Sequence, residues 1–190
     1  MKRSARFGRV AAFLALAGAA WAQTTRQVAL SKPGTTQSKA YRIAPQTFRD
    51  LERRFDTQLQ TLSPDINEPT ELLGSTRGVY LDGYGVVFTA EVSLVRAQGL
   101  SPFLREIPKE LAARVHAHRE ERLPLLKAAM DDMIHKMAMT FMQIPPDQHV
   151  VLAVRLLYAS WESSAGMPAQ VMMSGTRDGV QAGEIKVEVQ

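Results

Sequence analysis

The chain has no cysteine among its 190 residues. That excludes a disulfide framework and lipid attachment through a cysteine after a leader. No apolar run approaches the roughly 20 residues that a membrane-spanning helix needs. Val10 to Trp21, close to the amino terminus, spans only about a dozen residues. Catalytic signatures are missing as well. There is no HExxH pair, no GxSxG elbow, no SxxK, no phosphate-binding loop and no dinucleotide fingerprint.

The amino terminus places Lys2, Arg3, Arg6 and Arg9 ahead of the apolar run and ends it with Ala20-Trp21-Ala22. This pattern reads as a signal peptide over residues 1–22, with cleavage expected between Ala22 and Gln23. The expectation is an exported, soluble protein of the periplasm or exterior, with no span left after cleavage. The leader holds four of the 23 basic residues and no acidic one, so 19 Lys plus Arg remain against 19 Asp plus Glu. With the balance at zero and no run of five or six like charges, nucleic acid is excluded as a partner.

Residues 23–44 mix Thr, Gln, Ser and Lys without a period and read as a flexible lead-in. A single domain is expected over 45–190. Its centre is Val79 to Val95, VYLDGYGVVFTAEVSLV. Val86, Phe88, Ala90, Val92 and Leu94 alternate with Val87, Thr89, Glu91, Ser93 and Val95, as in a half-buried strand. Asp82-Gly83 suits a type I′ turn that folds Val79–Leu81 back as a hairpin, and a strand bulged at Gly83 or Gly85 is the alternative.

Before this centre, Phe48, Leu51, Phe55, Leu59 and Leu62 recur at helical steps from Pro45 to Leu62. Thr47 with Asp50 is the expected capping pair, Pro64 the stop, and 65–78 a loop. After it, 96–108 reads as an irregular crossing and Lys109 to Ile144 as a long helix that Pro124 kinks or splits. The core arc of that helix is Leu126, Met130, Met133, Ile134, Met137 and Phe141. His149 to Trp161, apolar on both faces except at Arg155, reads as a central strand. Ala169 to Ser174 is a short strand, Gly175 to Gly183 a turn, and Ile185, Val187 and Val189 mark a strand with one wet face. The expected fold is α+β: a mainly antiparallel sheet of about four or five strands, covered on one face by a long kinked helix and a shorter N-terminal one.

Three clusters bear on chemistry. Gly83-Tyr84-Gly85 with Tyr80 and Asp82 combines close backbone approach with flat, polar-tipped rings, which suits contact with a ligand or partner as well as a bare turn. His135, Met139 and Met142 follow at i, i+4 and i+7, a soft donor set for Cu(I), although methionine on a helix is commonly core filler. His116 and His118 point apart on a helix, and with Arg119, Glu120, Glu121 and Arg122 they read as a solvated face. Serines and histidines are present, but no triad is specified, so an unassigned hydrolase is a further alternative.

The block Gly78 to Phe88, GVYLDGYGVVF, followed by a long charged helix, a Pro-Pro-Asp turn and an apolar strand, resembles a set of exported bacterial proteins of unknown function. The likeness covers residues 74–190 and implies no catalytic residue, cofactor or substrate. The expectation is a non-catalytic, cofactor-free domain that binds an envelope protein or a small ligand near Tyr80, Asp82, Gly83, Tyr84 and Gly85. Copper handling by His135, Met139 and Met142 is its rival.

Overall fold

The computed structural model describes residues 42–63, 69–96 and 107–190. The leader, the lead-in before residue 42, Pro64 and most of the 96–108 crossing lie outside the described residues.

The elements in order are α1 (Pro45–Gln60), β1 (Glu71–Leu72), β2 (Arg77–Leu81), β3 (Gly85–Ser93), α2 (Lys109–Thr140), β4 (His149–Leu156), β5 (Gln170–Thr176), α3 (Arg177–Gln181) and β6 (Lys186–Val189). The six strands form one sheet in the order β1-β3-β4-β5-β6, with β2 also paired to β3. Four of the ladders are antiparallel, and β3 with β4 is parallel. Parallel neighbours need a long crossover, and α2 supplies it. The fold is α+β with a mainly antiparallel sheet, as the pattern of elements implies.

Alternation along β3 decides which face is covered. Val86, Phe88, Ala90 and Val92 are buried, and so are Val150, Leu152, Val154 and Leu156 on β4. Leu51, Phe55 and Leu59 of α1 and Met130, Met133, Ile134, Met137 and Phe141 along α2 complete this core. Full burial of each such side chain contributes on the order of 1.5–3 kcal/mol. Phe48, Phe88 and Phe141, with ring centroids 5.2–6.0 Å apart, join α1, β3 and the end of α2. The opposite face of the sheet carries Thr89, Glu91 and Arg155, all exposed. No helix covers it among the described residues.

Several local expectations are corrected. Ala44 is the N-cap of α1 and makes no side-chain cap bond, while Pro45 occupies the first turn. Thr47 lies inside the helix, and Asp50 bonds Gln46 and Arg53 instead. The expected loop over 65–78 contains β1 and the start of β2. Its backbone is held by α1 side chains: Asp56 accepts from Thr76 N–H at 2.8 Å, and Glu52 accepts from Gly78 N–H at 2.8 Å. α2 runs on through Pro124 as one element, so the long kinked helix holds and the split does not. The carbonyl that proline orphans belongs to Glu120, and both residues are exposed, so the missing bond falls on the solvent side of the helix. The turn expected over 175–183 holds the short helix α3, whose N-cap Thr176 accepts from Gly179 N–H at 3.1 Å. The solvated face expected at Arg119 and Arg122 is wrong, since these side chains are 1% and 5% exposed.

α1 and α2 meet through Asp132, which accepts from Gln58 at 2.5 Å and pairs with Lys136. The Lys136 hydrogen bond, foremost, holds the Asp132 carboxyl below the ordinary carboxylate range, and burial works against it. A carboxylate with a depressed folded-state pKa stabilises above its unfolded pKa, and the contribution is lost as pH falls through the folded one. Melting temperature should therefore drop more steeply below about pH 4 in the native chain than in Asp132→Asn. Parallel pH profiles for the two would contradict the assignment.

Candidate functional site

β2 and β3 form a hairpin with Leu81 opposite Gly85, so Asp82, Gly83 and Tyr84 make the loop. Tyr84 N–H donates to Leu81 O at 3.0 Å, and Gly83 takes φ 75°, which is the conformation an Asp-Gly pair favours. The hairpin form therefore holds, closed by three loop residues rather than by the two of a type I′ turn. A side chain at Gly83 would meet nothing within 4 Å. Its role is conformational.

Gly85 answers a different need. Tyr84 O accepts from His149 N–H at 2.7 Å, drawing the first residue of β4 onto the hairpin. A Cβ on Gly85 would stand 1.9 Å from His149 O. Only glycine permits the approach, and the Tyr84 ring then stacks on the His149 ring at 5.1 Å.

The two tyrosines fall on opposite faces. Tyr80 turns toward the covered side, where its hydroxyl bonds Gln148 Oε1 at 3.1 Å, and Gln148 is itself buried. Tyr84 turns outward. Of the five residues expected at a contact, Asp82, Gly83 and Tyr84 are exposed, Gly85 is buried, and Tyr80 is half-buried. Val79 and Leu81 join Tyr84 on the outer side and are 50%, 47% and 45% exposed respectively. They were legible as the residues alternating with Gly78 and Tyr80. His149, which comes from β4, was not.

Beyond this apolar corner the open face becomes charged. Arg155 and Glu91 pair at 3.6 Å beside a groove of about 440 Å³ that Arg77, Thr89 and Gln170 also line. The face is thus apolar at the hairpin and ionic at its far end.

The rival cluster is divided: His135 and Met139 lie on α2, while Met142 falls in the turn after it, so the helical spacing expected of the three does not extend to Met142. His135 Nδ1 lies 2.8 Å from Asp131 O, and Met139 is exposed. Met142 Sδ receives Gln181 Nε2 at 3.5 Å and Arg177 Nη1 at 3.8 Å, which sets a cation against the sulfur. Among the described residues, no three His, Cys, Asp or Glu side chains gather to hold a metal ion. None of the helices there is long and apolar enough to cross a membrane.

A second constellation lies at the carboxyl ends of β3 and β4. Arg119 Nη2 is 2.7 Å from Glu162 Oε2, and both side chains are almost completely buried. The same guanidinium donates to Ser93 Oγ at 3.0 Å, Leu157 O at 3.2 Å and Val95 O at 3.3 Å, and it lies 5.0 Å from the Tyr158 ring centre. Burial, foremost, raises the Tyr158 pKa, and its hydroxyl donates to Pro168 O at 2.6 Å. Arg122 adds a bond to Leu94 O at 2.7 Å. These arginines tie the crossover helix to the strands it connects.

No family model, curated protein or solved structure matches the chain.

Proposed function

We propose that this chain is an exported, non-catalytic binding domain of the cell envelope, and that it docks a partner protein on the open sheet face at the β2–β3 hairpin. Export rests on the basic and apolar leader with its Ala20-Trp21-Ala22 end. The observation that carries the binding reading is the outward cluster of Val79, Leu81 and Tyr84, each about half exposed on the uncovered face. Tyrosine is among the residues enriched at the energetic centres of protein interfaces, and apolar neighbours such as Val79 and Leu81 exclude water around it. The His149 stack and the Gly85 approach hold Tyr84 in place before any partner arrives, which lowers the ordering cost of association. The groove on this face lies at its ionic end and is lined by none of Val79, Leu81 and Tyr84, so the apolar cluster suits a protein surface better than a small molecule, which prefers a concave cavity.

The test places a photo-crosslinking residue at Leu81 in cells, identifies the adduct and measures its affinity with purified components. Leu81→Asp is expected to weaken that affinity by at least about tenfold, while Asp131→Asn on α2 leaves it unchanged. No adduct, or an affinity that survives both Leu81→Asp and Tyr84→Ala, would overturn the reading.

A further inference from the structure

The far edge of the sheet poses a separate question. β6 pairs with β5 on one side, and among the described residues nothing pairs with its other side. Gln190 and Gln170 exchange both backbone bonds, Gln190 N–H to Gln170 O at 3.0 Å and Gln170 N–H to Gln190 O at 3.1 Å. In an antiparallel ladder such pairs alternate. Lys186 and Glu188 therefore turn their N–H and C=O groups toward β5, and Val187 and Val189 turn theirs outward. Their side chains lie on the helix-bearing face, opposite Met173 and Val171, yet both are 49% exposed. Exposed edges are blunted by proline, a bulge, short length or charged side chains, and β6 is four residues long and carries Lys186, which pairs with Glu188 of the same strand. Residues 186–189 contain no proline and pair with β5 in unbroken register.

The charge pattern says which strand fits. An antiparallel second copy centred on Val187 places Lys186 against the partner's Glu188 and Glu188 against the partner's Lys186. On the other face, Val187 meets the partner's Val187, and Val189 meets the partner's Ile185. The Val187 pair exchanges both backbone bonds, as its outward groups require. Shifting the centre to Glu188 or to Lys186 sets like charges opposite each other, which disfavours those registers. We infer that β6 is a homodimer edge, where two copies pair antiparallel about Val187 and join their six-stranded sheets into one. The interface is isologous, so it closes at two copies and leaves the hairpin at the opposite edge free.

Sedimentation equilibrium on the purified chain should give twice the single-chain mass as concentration rises. Val187→Pro removes only an outward N–H, so the chain should keep its circular dichroism and lose the dimer. Lys186→Glu and Glu188→Lys each oppose like charges at both positions and should raise the dissociation constant at least about tenfold. Mixed together, these two single variants restore opposite charges in both pairs and should form a heterodimer visible by native mass spectrometry. A native chain that stays monomeric, a folded Val187→Pro that still dimerises, or a mixture that stays monomeric would each overturn the inference.

Discussion

Gly85→Ala is expected to destabilise the fold by about 3 kcal/mol or more, against about 1 kcal/mol for Gly83→Ala, with the difference read from urea melts. Both glycines have positive φ, 137° and 75°, so backbone strain alone does not separate them. Space does. The added Cβ at Gly85 would meet three backbone atoms of His149, its O at 1.9 Å, N at 2.7 Å and C at 2.8 Å. A flexible side chain could rotate away, but these atoms belong to the start of β4. Relief means moving β4 from β3, which sacrifices the His149 N–H to Tyr84 O bond and opens the ladder that runs from Gly85 with His149 to Val92 with Leu156. Native stabilities are about 5–15 kcal/mol, so the variant would lose a large share of its stability. Its melting temperature should fall by roughly 10 °C. Equal costs at the two glycines would show that the close approach does not exist.

The same pair of glycines shows what the sequence carried. Asp82-Gly83 announced a turn because the dipeptide's conformational preference is local. The fit of Gly85 to His149 joins residues 64 positions apart, and nothing local reports it. β3 and α1 were legible for the same reason, since a covered face imposes its period directly, whereas the alternation in β6 was legible although its valines stay half exposed. The two-residue β1 is too short to show a period, and α3 begins with a cap inside a segment that looks like a turn. The parallel pairing of β3 with β4 was hidden because strand alternation is identical in parallel and antiparallel ladders. The position of the candidate site was readable from its glycines and tyrosines. Its facing was not, because Tyr80 and Tyr84 separate only once the loop is known to be a hairpin.

Arg119 is where local pattern misled most, and it gives the other large expected effect. His116 to Arg122 reads as a solvated helix face because six of its seven side chains are charged or titratable. The segment that follows β4 folds over it and reverses that reading, bringing Glu162 to Arg119 and Ser163 O to within 3.0 Å of His116 Nδ1. The ion contact is close but poorly aligned. Among the described residues, neither Glu162 oxygen and not Arg119 Nε has a hydrogen-bond partner of good geometry. Removing one member of a buried pair leaves the other charge uncompensated, at about 3–5 kcal/mol. Arg119→Met should reach that range, because it also strips donors from Leu157 O, Val95 O and Ser93 Oγ. Glu162→Leu should cost less, since the guanidinium keeps those acceptors. The double variant should be less destabilised than the sum of the two by about 1–3 kcal/mol, the coupling expected of groups in contact. Chemical denaturation of the four chains gives this number directly. Additive costs would mean that Arg119 holds α2 to the strand ends through the carbonyls alone, with Glu162 contributing nothing to the clamp.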